Sequence, residues 1–331
     1  MTAHGINATD GPDGPDGSAE QRPGPVPGGT AADAPLALAP GATVVQVSDT
    51  HLSRQVSRTQ RAWVDIVRYC DRTRPELVVH TGDVVHDDPD AEEDHEFAAA
   101  QLRRLTVPYR VVPGNHDIGD TAPDPYRGAV TAERLARYRR WHGPDRWSAT
   151  VADWLLVGLN SQLLGGDLPA ETQAQWDWLE GLVTRHPDRG LALFLHKPPC
   201  IQSLDEPLFV NKSIAPAARR RLLDYARQGT LRLIGAGHLH EFTTLQSYGV
   251  GIVLAPSAGL TPAGAETWGI GLRRNGIVEY RFRTSSVAYR MLTSADLLPP
   301  RLEPGPESES AFPVAAGNGH GSPTGRRGAQ G

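Results

Sequence analysis

The sequence predicts an α/β fold, a four-layer αββα sandwich in which two mixed β-sheets pack face to face between flanking helices. Two observations support this fold class. Between residues 43 and 237, short apolar runs of strand type alternate with segments whose apolar residues recur at helical spacing, as parallel strands with crossover helices require. From Phe242 onward, strand-like runs follow one another with only turn residues between them, which predicts a mostly antiparallel second sheet.

The predicted elements alternate along the chain. The strand-like runs before residue 237 are short and apolar, and they lie at 43–48, 76–81, 109–113, 154–160, 191–196 and 231–237. The helical segments between them lie at 59–73, 95–105, 171–186 and 213–229. The last helix ends in Gly229, a suitable C-cap because glycine adopts the left-handed conformation without strain. Three further strands are predicted at 249–256, 267–274 and 277–284.

The two ends of the 331-residue chain have a composition that does not favour a folded core. Residues 1–40 are rich in Gly, Pro, Ala and Asp and almost lack aromatic and β-branched residues, and residues 299–331 have the same character. Such segments bury too little apolar surface to offset the entropy lost on ordering. We therefore expect a disordered tail at each end and one domain over residues 41–298, within the usual size range.

Bulk composition excludes several classes of protein. The formal net charge is -5 and there is no block of Lys and Arg, so a nucleic-acid partner is not expected. Two cysteines, Cys70 and Cys200, are too few for a disulfide framework or a cysteine zinc cluster. The most apolar early segment, 34–47, is broken by Pro and Gly and is too short to span a bilayer. We expect a cytoplasmic protein with no membrane partner.

Metal-binding side chains follow five of the predicted strands. In chain order they are Asp49 and His51, Asp83, Asn115 with His116 and Asp117, His196, and His238 with His240. The C-terminal ends of parallel strands share one edge of a sheet, so these side chains should converge there. Each motif alone is common, since Asp-x-His and Gly-Asp often only form turns. The ordered set is the specific signal, and it predicts a metal site.

The ordered motifs resemble those of calcineurin-like metallophosphoesterases: DTH (49–51), GD (82–83), GNHD (114–117), H (196) and GHLH (237–240). The resemblance covers nearly the whole predicted domain and implies a β-sandwich flanked by helices. It implies that three side chains hold one metal ion: Asp49, His51 and His240. It implies that three others hold a second ion: Asn115, His196 and His238. Asp83 would bridge both ions, and His116 would be a catalytic residue beside them.

The chemistry of these residue types agrees with that assignment. Imidazole and carboxylate suit Zn, Mn and Fe, so we expect two divalent ions of these kinds. Such a pair lowers the pKa of a bound water from about 15.7 to about 7, which yields a metal-bound hydroxide that attacks phosphorus. His116 can act as general acid or as charge stabiliser. Asp117 completes the predicted catalytic residues with Asp83, either by orienting His116 or by capping a turn.

Two groups within the family share further segments with this chain. The segment QWDWL (175–179) is similar to bacterial cyclic-nucleotide phosphodiesterases, which carry His-His-Pro where this chain has His-Lys-Pro-Pro from residue 196. Four segments are similar to the calcineurin-like phosphoesterase domain-containing phosphatases of animals, a group linked with phosphoprotein phosphatase activity: 114–123, 141–148, 159–164 and 196–213. That group differs at His51, where it has Gln.

We therefore expect a dinuclear phosphoesterase that acts on a phosphomonoester, either a small molecule or a phosphoprotein. A cyclic-nucleotide or other phosphodiesterase is the first alternative, and a non-catalytic metal-binding scaffold is the second. A nuclease acting on duplex DNA is disfavoured by the lack of a basic surface run. Two nearby histidines are not expected to be ligands: His80 should be a hydrogen-bonded core residue, and His86 lies in an acidic stretch before a helix.

Overall fold

The structure, a computed structural model, describes residues 35–121, 128–207, 212–260 and 269–299. Its β-strands have the following bounds: β1 Leu36–Leu38, β2 Thr43–Val47, β3 Leu77–His80, β4 Tyr109–Val111, β5 Trp147–Val151, β6 Trp154–Gly158, β7 Gly190–Phe194, β8 Leu231–Ala236, β9 Thr243–Ser247, β10 Val250–Leu254, β11 Gly276–Phe282 and β12 Val287–Thr293. Its α-helices are α1 Ser57–Thr73, α2 Glu92–Leu102, α3 Asn115–Ile118, α4 Ala132–His142, α5 Pro169–Arg185 and α6 Pro216–Arg227.

Two mixed sheets form the centre of the fold. The larger has the strand order β1-β5-β6-β7-β8-β10-β9, and the smaller has the order β12-β11-β2-β3-β4. Within the smaller sheet β2, β3 and β4 are parallel, and within the larger sheet β6, β7, β8 and β10 are parallel. These parallel strands carry the polar residues discussed below at their C-terminal ends.

The buried residues divide into three layers of apolar packing. Between the sheets, the Phe194 ring of β7 meets the Tyr280 ring of β11 edge to face, with ring centroids 5.8 Å apart. On the outer face of the smaller sheet, Val45 and Val47 of β2 pack in one cluster with Ile66 of α1. On the outer face of the larger sheet, the corresponding cluster includes α5 and α6. The predicted four-layer αββα sandwich is therefore confirmed.

Local sequence signals explain where several helices begin. Pro169 and Pro216 stand at the starts of α5 and α6. A backbone N–H there would have no acceptor within the helix, so proline loses no hydrogen bond by lacking one. Thr131 precedes α4, and its hydroxyl accepts a hydrogen bond from the Arg134 backbone N–H, the usual N-cap contact. The predicted helix at 95–105 begins three residues earlier, at Glu92, because three acidic residues in its first turn favour the positive helix N-terminus.

The strands after Phe242 do not form a sheet of their own, which corrects the prediction of a mostly antiparallel second sheet. β9 and β10 extend the larger sheet, where β10 is parallel to β8. β11 instead pairs antiparallel with β2 and continues the smaller sheet. Of the predicted strand at 267–274, the described residues form only an isolated bridge between Leu272 and Phe242.

The first predicted tail is too long at its C-terminal end. Leu36–Leu38 forms β1, which pairs parallel with β5 at the edge of the larger sheet, because this short apolar run can cover an otherwise open edge. The rest of both predicted tails, 1–34 and 300–331, lies outside the described residues, so the predicted boundaries stay predictions there. Among the residues that are described, no helix has the length and apolar character needed to cross a membrane.

Candidate metal centre

The loops after β2, β3, β4, β7 and β8 bring the predicted side chains together at one edge of the two sheets. Two groups of ligand atoms form, and within each group the atoms lie within 4.8 Å of one another. The first group comprises Asp49, His51, Asp83 and His240, and the second comprises Asp83, His196 and His238. Asp83 belongs to both groups. The predicted convergence over nearly two hundred residues is thus present in the structure.

The backbone of these loops is strained at the ligand positions. Eight non-glycine residues in the described part of the chain have positive φ, and five of them belong to the two groups: Asp49, His51, Asp83, His238 and His240. A positive φ costs a non-glycine residue free energy, and such residues cluster at functional sites where the surrounding fold holds them in place. The strain turns each side chain out of the strand direction and towards the common centre.

The first group is built around two carboxylates and two imidazoles. His240 Nε2 lies 3.2 Å from Asp49 Oδ1 and 3.2 Å from His51 Nε2. His51 Nε2 lies 3.9 Å from Asp83 Oδ2. Asp49 is fully buried, and its second oxygen, Oδ2, accepts from the His238 backbone N–H at 3.1 Å.

The second group is completed by Asn115, whose amide oxygen lies within it. His196 Nε2 is 2.9 Å from Asn115 Oδ1, 3.0 Å from His238 Nδ1 and 3.4 Å from Asp83 Oδ2. Four potential ligand atoms therefore surround one point. His116 stands beside both groups, with its Nε2 3.8 Å from Asp83 Oδ2 and its side chain 16% exposed.

Backbone carbonyls determine which ring nitrogen of three histidines faces the centre. The His86 carbonyl oxygen lies 3.1 Å from His51 Nδ1 and 2.6 Å from His116 Nδ1. The Thr81 carbonyl oxygen lies 2.8 Å from His196 Nδ1. A carbonyl only accepts, so each Nδ1 donates its proton and each Nε2 faces the centre. Such outer contacts are the usual way in which metal-binding histidines are oriented.

The donor set fits divalent cations. With Nδ1 protonated, neutral His196 presents a bare Nε2 to the Asn115 oxygen, the His238 ring and the Asp83 carboxylate. Acceptor atoms at these distances repel one another unless positive charge lies between them. Burial lowers the pKa of His196, but Asp83 outweighs burial and raises that pKa to about 9. The buried carboxylate therefore favours a positive charge at this position. The oxygen and nitrogen donors match the preferences of Zn, Mn and Fe.

Both carboxylates are held in the ionised form that metal binding requires. Burial raises the pKa of the Asp83 carboxyl, but His196 and His116 outweigh it and leave the pKa well below the ordinary value. For Asp49, burial again opposes ionisation, and His240 lowers the pKa below its usual value. Two buried negative charges at one point would attract cations to it.

Two glycines allow the loops to approach the carboxylates. A Cβ atom at Gly114 would overlap Asp83 Oδ1, and one at Gly237 would overlap Ser48 Oγ and lie 2.7 Å from Asp49 Oδ2. Only glycine leaves room for backbone at these places. The Gly residues of the GNHD and GHLH motifs are therefore required by packing, and neither has a positive φ.

Asp117 has a different role from the one that would orient His116. Its Oδ1 accepts from the backbone N–H groups of Val84 and Val85, both at 2.9 Å, and its Oδ2 accepts from the Gly114 N–H at 2.8 Å. Of the two predicted roles, the structure shows the turn-capping one, and the orienting contact on His116 comes from the His86 carbonyl. Asp117 acts on the centre by holding the loops that carry Asp83 and Asn115.

The two neighbouring histidines, His80 and His86, have different surroundings. His80 accepts from the Gly82 N–H through Nδ1 at 3.2 Å and contacts Thr50 Oγ1 through Nε2 at 2.9 Å, and burial lowers its pKa to about 4. It is the neutral, hydrogen-bonded core residue that was predicted. His86 is no member of either group, as expected, but its carbonyl is a functional contact that sequence reasoning missed, because any residue type supplies a carbonyl.

A family model described as calcineurin-like phosphoesterase matches residues 42–242, more than half of the chain, including every side chain of the two groups. The chain belongs to the calcineurin-like phosphoesterase family. It is accordingly a metal-dependent phosphoric ester hydrolase with a cluster of His and Asp side chains for metal, and the predicted family resemblance is confirmed.

Curated relatives within the calcineurin-like phosphoesterases have different substrates in their names. A probable glycerophosphodiester phosphodiesterase from Arcobacter nitrofigilis is 26% identical over 216 residues, covering 61% of this chain and 72% of the relative. The Escherichia coli K12 3',5'-cyclic adenosine monophosphate phosphodiesterase is 25% identical over 67% of this chain and 78% of its own length. The human serine/threonine-protein phosphatase CPPED1 is 29% identical over 51% of this chain. The match spans about half of that phosphatase, 54%.

Solved structures agree in fold. A dimetal phosphatase from Danio rerio superposes with a TM-score of 0.55 at 14% identity, covering 77% of this chain and 97% of that one. A purple acid phosphatase from yellow lupin superposes with a TM-score of 0.58 at 17% identity, covering 79% of this chain and 53% of that one. These similarities concern the fold alone.

Proposed function

We propose that this phosphoesterase hydrolyses a phosphomonoester, carried by a small molecule or by a phosphoprotein, at a dinuclear centre of Mn, Fe or Zn. The observation that supports the proposal is the pair of ligand groups that share one ionised carboxylate, Asp83. A shared carboxylate would hold two ions close together, and such a pair would supply the charge stabilisation that in-line displacement at phosphorus needs.

The ligands divide between the two ions as the groups do. One ion would be held by Asp49, His51 and His240, the other would be held by Asn115, His196 and His238, and Asp83 would bridge them. Only two of these seven side chains carry negative charge. Two divalent cations would therefore leave the centre with a net positive charge, which attracts a phosphate dianion.

Bound at these positions, the ions would activate a water at neutral pH and neutralise charge on the phosphate oxygens. The side chains around them orient the substrate and handle the proton. His116 stands at the rim, partly exposed, with Nδ1 fixed on the His86 carbonyl and Nε2 directed to the centre. When Nε2 carries a proton, it can donate that proton to the oxygen of the leaving alcohol.

A monoester is the first choice of substrate for two reasons. The net positive centre favours the more highly charged dianion of a monoester over the monoanion of a diester. The similarity to the serine/threonine-protein phosphatase CPPED1 is the highest in identity of the three relatives described above. A phosphorylated serine or threonine side chain is also an alkyl ester, whose poor leaving group needs the proton of a group such as His116.

A phosphodiester is the second candidate. The relatives with diesterase names cover more of this chain, 61% and 67%, than the protein phosphatase does. Either substrate class uses the same metal ligands. The surroundings of the centre decide between them.

A hydrolysis panel tests the proposal. Protein loaded with Mn²⁺, Fe²⁺ or Zn²⁺ is assayed on p-nitrophenyl phosphate, a phosphoserine peptide, cyclic AMP and a glycerophosphodiester, with Asp83→Asn as the inactive control. We expect the highest kcat/KM on a monoester. A higher value on cyclic AMP or on the glycerophosphodiester would select the second candidate. No hydrolysis of any ester, with both metal ions bound, would contradict both.

A further inference from the structure

A buried ion pair lies directly behind the second ligand group. Lys197 follows the ligand residue His196 and forms the ion pair with Asp120; the side chains are 0% and 1% exposed. Lys197 Nζ also donates to Thr121 Oγ1 at 2.8 Å. Burying two charges is costly, and apolar pairs of similar size often stabilise a fold as well or better. A contribution to stability therefore does not by itself explain why this ion pair is buried.

Gln162 connects this ion pair to Asn115, the candidate ligand that supplies a neutral amide oxygen. In the orientation that satisfies both atoms of its amide, Gln162 Nε2 donates to Asp120 Oδ1 at 3.2 Å and Oε1 accepts from the Asn115 backbone N–H at 2.8 Å. Gln162 is fully buried. Because Asn115 Oδ1 lies 2.9 Å from His196 Nε2, the contacts close a ring that passes from His196 through the ion pair and Gln162 to Asn115.

The ring is anchored to the backbone at a short turn after β6. The Lys197 backbone N–H donates to Ser161 Oγ at 3.0 Å. The Gln162 backbone N–H donates to the Asn160 side-chain oxygen at 3.0 Å. The same turn therefore contacts two segments from different sheets. One is the loop after β7 of the larger sheet, and the other begins at Asn115, after β4 of the smaller sheet.

We infer that Lys197, Asp120 and Gln162 are positioning residues that hold Asn115 and His196 at the separation needed to share one metal ion. This inference rests on the proposed dinuclear centre. The three residues lie behind the ligands, and they act through them. Their loss should let the Asn115 amide and the His196 ring move apart, which weakens the ion held by the second group and leaves the ion of the first group bound.

The test compares two changes in the ring with two matched changes outside it. Lys197→Met and Gln162→Leu remove the ring contacts. Arg219→Met removes a nearly buried cation that pairs with Glu206 Oε1 at 3.1 Å. Thr59→Val removes a buried hydroxyl of α1 that donates to the Val56 carbonyl at 2.9 Å. Metal-free proteins are titrated with Mn²⁺ by calorimetry, and their melting temperatures are measured without metal.

We expect two Mn²⁺ sites in the natural protein. In Lys197→Met and Gln162→Leu the Kd of one site should rise by about 10–100-fold, the usual effect of changing an outer contact of a metal ligand. Both control variants should keep both sites at unchanged Kd, even where their melting temperature falls. The double change of Lys197→Met with Asp120→Leu separates folding from positioning, because it removes both buried charges. It should recover melting temperature without recovering the weakened site.

Ring variants with unchanged Kd at both sites would overturn the inference, as would controls that lose the same site. Equal weakening of both sites would also overturn it, since that is a general effect on the fold. A natural protein that binds fewer than two Mn²⁺ would remove the dinuclear proposal and the inference together. If the ring variants behave as expected and no phosphate ester is hydrolysed, the positioning role stands and the proposed function fails.

Discussion

Single atoms decide how each histidine of the centre can act. One carbonyl oxygen, that of His86, accepts hydrogen bonds from Nδ1 of both His51 and His116. A predicted ligand and the predicted proton donor are therefore oriented by the same peptide group. The residue types at the centre could be predicted from the sequence because each follows a strand in a fixed order. Their tautomers could not, because the partner is a backbone oxygen that has no sequence signature.

His116→Ala separates proton donation from metal binding. If His116 protonates the leaving oxygen, its loss should lower the rate on a phosphoserine peptide by about 10²–10⁴-fold, the usual range for general acid catalysis. The rate on p-nitrophenyl phosphate should fall much less, because nitrophenolate leaves without a proton. The measurement is kcat on both esters, with metal content determined in the same samples.

Equal losses on the two esters with metal retained would make His116 a charge stabiliser instead. Loss of metal would place His116 among the ligands and contradict the division of roles.

At the scale of secondary structure elements, the loops that carry the candidate ligands pack tightly against one another. Gly237, directly after β8, packs against Ser48 and Asp49. Gly237→Ala should push the Asp49 carboxylate away, lower the unfolding free energy by about 1–3 kcal/mol as overpacking does, and weaken Mn²⁺ binding. Calorimetric titration with Mn²⁺ and urea unfolding measure both effects.

The matched control is Gly181→Ala within α5, where the nearest atom to the new Cβ is the mobile end of Arg185 at 3.2 Å. That change should stabilise the protein by up to about 1 kcal/mol through helix propensity and leave Mn²⁺ binding alone. Unchanged binding in Gly237→Ala as well would show that the loop after β8 adapts without moving Asp49.

The contact between α2 and α4 predicts a pH dependence of stability. His95 Nε2 donates to the Pro89 carbonyl and Nδ1 lies 3.1 Å from His142 Nε2; burial lowers the pKa of His95 to about 4. Below about pH 6.5, the ordinary pKa of histidine, His95 takes up a proton in the unfolded chain but stays neutral in the folded chain. Stability is therefore lost as pH falls from about 6.5 towards 4.

His95→Gln should remove this dependence. Between pH 7 and pH 5, the natural protein should lose about 2 kcal/mol more unfolding free energy than the variant, with the value set by the pKa difference. Urea unfolding at the two pH values, at equal metal content, measures it. An equal loss in both proteins would show that His95 does not remain neutral in the fold.

The elements that sequence reasoning missed have weak local signals. β5 forms a hairpin with β6, the strand predicted at 154–160, and the turn between them includes Ala152 at a φ of 46°, so the Gly or Asn that usually marks such a turn is absent. β12 is an edge strand in which only one of seven side chains is fully buried. α4 buries only two residues, Leu135 and Tyr138. Strongly apolar strands and helices could be predicted, whereas half-exposed elements depend on tertiary contacts that periodicity does not reveal.

The same limit applies to the ring behind the centre. Lys197, Asp120 and Gln162 each lie in a segment that is similar to the animal phosphatases, at 196–213, 114–123 and 159–164, but nothing in their spacing indicates that they contact one another. Their partnership arises because the two sheets bring distant loops together. At the scale of the whole molecule, family and ligand order could be predicted from sequence. The contacts that hold ligands from behind required the packed structure.

The boundaries of the folded part can be tested by truncation. Removing residues 1–34 and 300–331 should leave the melting temperature and activity nearly unchanged, because their composition offers little apolar surface. Removing residues 1–38 should lower the melting temperature, since it deletes β1 and opens the edge of β5. A large loss in the shorter truncation would show that a terminal segment contributes to the fold.

In the proposed function, hydrolysis depends on two ions that share Asp83. The most direct measurement is a titration of metal-free protein with Mn²⁺ in which bound ions per chain and the rate on p-nitrophenyl phosphate are determined in the same samples. We expect no rate without metal and a rise in rate as the second ion binds. Asp83→Asn should lose more metal than any other single ligand change and have no measurable rate. Full activity in the metal-free protein, or retention of both ions and the rate in Asp83→Asn, would contradict the proposed function.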